Sequence, residues 1–216
     1  MGRHDWYRRT TWTQADEADF FNRLGRARAG NRSQYVVIQA GTLAHAGPAE
    51  LAPVAIRLVD LFCDDYFEKI FASHAHSTKA HALLRLDRYD EACDAFEAAL
   101  QARRVQPNVI DDTWLMFALT VALRGDRSRY DRVTAVLAEF NGPGSLTFPS
   151  QVFDFFTSLA LISSDLGDGS TAARWAANAL AAVDQAGPFP RHPDVGLVRG
   201  VDASLREKLE AIAHHS

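Results

Sequence analysis

Cysteine is scarce in this chain. Only Cys63 and Cys93 occur in 216 residues, with no CxxC and no Cys/His set at metal-ligand spacing. This excludes a disulfide-stapled scaffold and a zinc ribbon, and it favours a reducing, cytoplasmic compartment. Uninterrupted apolar runs of about 18 residues are missing, so no spanning helix and no membrane partner is expected. The polar, aromatic opening Met1-Gly-Arg-His-Asp-Trp-Tyr-Arg-Arg9 carries no expected secretion signal. Lysine is rare, confined to Lys69, Lys79 and Lys208, and acidic residues outnumber basic ones by 27 to 23 for a net charge of −4. That balance argues against a nucleic-acid partner held by phosphate neutralisation. GxSxG, HExxH and a Gly-rich phosphate loop are all absent, so no catalytic residue, no cofactor and no metal is expected, and the chain reads as a non-enzyme.

What the chain has in quantity is helical periodicity. Thr13 followed by Asp16 and Glu17 reads as an N-cap with acidic first-turn partners, opening a helix of about 14–29 with Phe20, Phe21 and Leu24 on its apolar face. Ser33 reads as the cap of a second helix to His45. The breaker Gly47-Pro48 then starts a third, to about Phe62. Residues 63–72 fit either a continuation or a turn. Ser73 to Leu86 and Asp90 to Val105, stopped by Pro107, form the clearest pair. Segments 111–124 and 129–140 form another, and beyond the Gly142-Pro-Gly144 loop segments 150–166 and 170–185 form the last. A Gly/Pro-rich linker at 187–193 leads to a final helix at 203–213, capped by Asp202.

Small residues expected where the helices of each pair cross fall at Ala52, Ala92, Val133 and Ala172, with spacings of 40, 41 and 39. The expected fold is therefore all-α. It comprises about four antiparallel helix pairs (33–62, 73–105, 111–140 and 150–185) within 33–186, an aromatic tail and capping helix at 1–32, and a linker and capping helix at 187–216. Together these form one elongated domain.

Two pairs carry a family resemblance. Ala80, Leu83, Leu86, Tyr89, Ala92, Phe96, Ala99 and Leu100, and again Leu159, Ala160, Leu166, Gly167, Ala172, Ala179 and Leu180, resemble the packing positions of the tetratricopeptide repeat. The pattern departs from that family at His76 and Lys79, at the late Pro107, and in a period near 40 where ~34 is usual. The run Asp5-Trp-Tyr-Arg8, Thr11-Trp12, Phe20-Phe-x-Arg-Leu24, Arg26-Ala-Arg28, Gln34-Tyr35 and Ile38-Gln-Ala40 is also similar to a set of bacterial tetratricopeptide-like proteins with no assigned activity.

The resemblance implies that the first helix of each pair lines a concave groove. Transferring the pattern puts Gln34 and His45 there from the first pair, His74, Thr78, His81 and Arg85 from the second, and Asp154, Ser158 and Asp165 from the fourth. Such a groove, basic toward one end and acidic toward the other, suits a protein or peptide partner of unknown identity. His74, His76 and His81 lack the i, i+4 geometry of a helical zinc pair. Arg23, Arg26, Arg28 and Arg32 fit a solvated helix face better than a nucleic-acid contact. Trp6, Tyr7 and Trp12 either cap the first pair or form a homodimer contact. The expected function is a protein-interaction scaffold. The alternative is a small-molecule-binding regulatory domain with a pocket around Trp114, Phe117 and Phe153.

Overall fold

The computed structural model describes residues 5–142 and 144–214, so Pro143 of the Gly-Pro-Gly loop and the ends of the N-terminal and C-terminal segments lie outside the described residues. Among the described residues there are ten α-helices, two short 3-10 turns and no strand: α1 (Gln14–Arg26), α2 (Ala29–His45), α3 (Ala52–Asp65), α4 (Lys69–Leu84), α5 (Tyr89–Val105), α6 (Thr113–Arg124), α7 (Tyr130–Phe140), α8 (Pro149–Asp165), α9 (Gly169–Val183) and α10 (Ala203–His214). None of the described helices is long and apolar enough to cross a membrane. The chain divides into two compact units, Met1–Thr113 and Trp114–Ser216.

In the first unit α2 packs on α3, α4 lies against both, and α5 packs on α4. The core is built from Phe20, Leu24, Val36, Val37, Ala40, Leu43, Leu58, Val59 and Phe62, with buried alanines at 52, 55, 75 and 82. In the second unit α8 packs on α9, and α10 lies against both. Phe153, Ala160, Ala176, Ala179, Ala182 and Leu209 form a core cluster there. Ala52, Ala92 and Val133 are fully buried, and Ala172 is 1% exposed.

Local chemistry explains several helix ends. Thr13 and Asp16 form a reciprocal capping box, which draws the Asp16 carboxyl down to about 2 through hydrogen bonds from the Thr13 N–H and hydroxyl. Asp168 accepts from the Thr171 N–H, and Asp202 from those of Ser204 and Leu205. Three helices end in the same way. Arg88 N–H donates to Leu83 O and Asp87 N–H to Leu84 O; Asp126 and Gly125 repeat the pattern on Val121 and Ala122, and Asp168 and Gly167 on Ser163 and Ser164. These are Schellman turns, and their central residues Asp87, Gly125 and Gly167 all have positive φ. A Cβ on Gly167 would meet nothing within 4 Å. Gly167→Ala is therefore expected to lose about 1–2 kcal/mol purely from backbone strain, read as a lower urea midpoint with unchanged slope.

Other ends differ from expectation. α1 stops at Arg26, three residues early, because Arg32 turns back and donates to the carbonyls of Gly25 and Ala27. α2 begins at Ala29, so Ser33 is inside the helix instead of capping it, and its buried hydroxyl donates to Glu68 Oε1 at 2.6 Å. The ambiguous segment 63–72 contains the end of α3, a break at 66–68 and the first turn of α4. Ser73 is likewise inside α4 and donates to Asp111 Oδ2 at 2.5 Å. Both serines occupy the fifth position of their helices, and each ties its helix to a carboxylate just ahead of a later helix, α4 for Ser33 and α6 for Ser73.

Candidate functional site

In the first unit, α2 and α4 lie side by side and bring together most of the groove residues expected there. Gly41 lies against α4: a methyl group on it would sit 3.7 Å from both His74 Nε2 and Thr78 Oγ1. Thr78 is 1% exposed, and its hydroxyl has no hydrogen-bonding partner among the described residues. One turn further on, the rings of His45 and His81 stack with centroids 4.1 Å apart and planes 32° from parallel. Desolvation, then the neighbouring charges of His45 and Arg85, pulls His81 down to about 4. His45 is lowered for the same reasons, with His74 and Arg85 as its charged neighbours.

Arg85 closes this row, but its guanidinium is turned inward. It donates to Leu43 O, Ala44 O and Gly47 O at 3.3, 2.7 and 2.9 Å, and so caps the end of α2. The exposed members of the face are Gln34, His45 and His74, with His81 half-buried beside them.

In the second unit the three expected groove residues are arranged differently. Ser158 is fully buried, and its hydroxyl donates to the Asp154 carbonyl one turn back, so the side chain is spent inside α8. Asp165 accepts from Tyr130 Oη at 2.7 Å and from Arg127 Nε at 3.3 Å, which ties the end of α8 to the start of α7. Burial and that carboxylate push the Tyr130 phenol up to about 12. Asp154 alone lies on a cleft, an opening of about 360 Å³ shared with Ser150, Phe153, Leu205 and the irregular segment 197–202. Trp114 and Phe117 are each 1% exposed, and Trp114 packs against Phe140 and Phe155.

The aromatic tail is docked within its own unit. Tyr7 stacks on Tyr35 at 4.5 Å, while Trp6 contacts Phe20 and Tyr35, and Trp12 contacts Phe20. Arg9 N–H donates to Gln39 Oε1 at 3.0 Å, and Gln39 Nε2 returns a bond to Arg9 O at 2.8 Å. The Arg9 guanidinium also pairs with Asp16 and Asp19. No periodicity in the sequence announces Gln39; its place on the buried side of an otherwise apolar helix is the only hint.

No group of three or more metal-ligating side chains among the described residues is arranged to hold an ion. The arginines of the first helix are used locally, Arg23 on Asp19 and Arg26 on Asn22. Comparison with protein-family profiles, curated proteins and solved structures finds no match to this chain. What the fold defines is an all-α protein of packed neighbouring helices.

Proposed function

We infer that this is a tetratricopeptide-like stack of helix pairs that binds a protein or peptide in the bacterial cytoplasm and performs no chemistry itself. The packing order supports the repeat reading. In the first unit α2 touches its own partner α3 and the next first helix α4, and α4 touches α3 and its own partner α5, as in two stacked helix pairs. The recurring Schellman turns and the buried small residue in each second helix agree with it.

The observation that carries the binding reading is the α2–α4 face. There Gln34, His45 and His74 are exposed along neighbouring helices that meet over Gly41, and their polar side chains offer hydrogen-bonding groups to an extended chain or a helix laid along the face. A photo-crosslinker at position 74 is expected to capture a cellular polypeptide that the same probe at Asp94, on the cleft between α4 and α5, does not capture. His45→Glu with Gln34→Glu should abolish that capture. Equal capture from both positions would overturn the assignment.

The small-molecule reading retains one observation in its favour, the cleft of about 360 Å³ beside Phe153 and Asp154. Its other expected walls, Trp114 and Phe117, are consumed by packing. A thermal-shift screen separates the two readings, because a pocket ligand stabilises by mass action.

A further inference from the structure

We propose that the His45–His81 ring pair is an acid-sensitive clasp at the C-terminal ends of α2 and α4, and that the last turn of α2 frays when both rings are protonated. The geometry places the two rings against each other with centroids 4.1 Å apart and planes tilted by 32°, one on the last residue of α2 and the other on α4, four residues before Arg85. Neutral imidazoles stack in this arrangement without electrostatic cost, whereas two imidazolium ions repel each other at that separation.

Among the described residues, the charges that act on the two rings are all basic. These groups are His74 on α4 and Arg85, which caps its C-terminal end. Asp111, after α5, acts on His74. From α3, which packs against both helices, Asp60 is paired with Lys79 and acts on His76. Arg85 is fixed by its three bonds to the end of α2, so its positive charge stays in place as the rings titrate.

The sign follows from linkage. Both histidines titrate below the ordinary value of 6.5 in the folded protein, so their contribution is intact above pH 6.5 and is lost as the pH falls toward the folded value, about 4 for His81. The pair titrates as a coupled unit in which the second proton is the difficult one. The consequence is local. The Ala46 and Gly47 amides, which donate to Thr42 O beside the clasp, are the first to open. Acid would thereby fray the last turn of α2 without unfolding the chain.

The test uses the full chain with no partner. Hydrogen exchange, corrected for intrinsic rates, should accelerate roughly tenfold at Ala46 and Gly47 between pH 7 and pH 5. Amides of α8 and α9 serve as an internal reference and should stay unchanged. His45→Phe with His81→Phe keeps two stacked rings and removes the charges, and is expected to abolish most of the acceleration. His76→Phe, on the cleft between α4 and α5, should leave it in place. Direct titration of the wild-type His81 ring by NMR gives a second reading that needs no variant: a midpoint well below 6.5 that rises in His45→Gln supports the clasp. An ordinary midpoint, or acceleration retained in the double variant, would overturn it.

Discussion

Replacing Arg85 with methionine is expected to destabilise the first unit by about 2–3 kcal/mol, although the residue sits on a face read from sequence as a binding surface. The last four carbonyls of a helix have no intrahelical donors. In α2 the Thr42 carbonyl receives the Ala46 and Gly47 amides, while the next two, of Leu43 and Ala44, and that of Gly47 beyond the helix, receive the Arg85 guanidinium. Bonds from a charged donor each carry about 1.5–3 kcal/mol, discounted here because the side chain is only half-buried. Methionine retains the packing of the stem and removes all the donors. Arg85→Lys should recover less than half of the loss, since one ammonium cannot reproduce the planar fork. Urea unfolding of both variants, with amide exchange at Gly47 as the local probe, measures the effect. A change within 0.5 kcal/mol, roughly the ordinary range for surface substitutions, would show that the cap is dispensable.

Removing residues 1–12 should cost more, about 3–5 kcal/mol, and leave the molar mass per particle in solution that of the shortened chain in the same oligomeric state. The tail covers Phe20, which is fully buried, and its rings stack on Tyr35. It also satisfies both ends of the fully buried Gln39 amide through the Arg9 backbone. Losing the tail therefore exposes apolar surface worth about 25 cal/mol per Å² and strands a buried amide at about 1–3 kcal/mol. Gln39→Leu isolates the second contribution: it should weaken attachment of the tail while leaving the rings in place, seen as faster exchange of the Arg9 amide. A melting temperature unchanged by the deletion, or loss of a dimer measured by light scattering, would contradict this account and restore the interface reading of Trp6, Tyr7 and Trp12.

Much of the secondary structure was legible because its causes are local. Thr13 and Asp16 are three residues apart, and the capping box they form depends on nothing else in the chain. Asp202, Gly125 and Gly167 mark helix ends for the same reason: capping and left-handed backbone preferences act within a single turn. The misread starts are also informative. Ser33 and Ser73 look like caps, because serine before an apolar run usually is one. Each is drawn into its helix interior by a carboxylate 35 or 38 residues away, a partner no short window contains.

The candidate face shows the same division. Helical periodicity places Gln34, His45, His74, Thr78, His81 and Arg85 in two rows, but periodicity does not say which members of a row are spoken for. Arg85 bonds to carbonyls 38 to 42 residues earlier, and Asp165 binds Tyr130, 35 residues earlier. These pairings depend on how whole helices dock.

The sequence by itself determined that the chain is helical, roughly where its helices lie, and that Ala52, Ala92, Val133 and Ala172 are buried. Those properties follow from one-turn backbone energetics and a 3.6-residue pattern of burial. Only the tertiary structure decided that Arg85 is a helix cap, that the aromatic tail is a fastened cover and that His45 stacks on His81. Each of these rests on a contact between elements distant in sequence, and its energy exists only once the helices have packed.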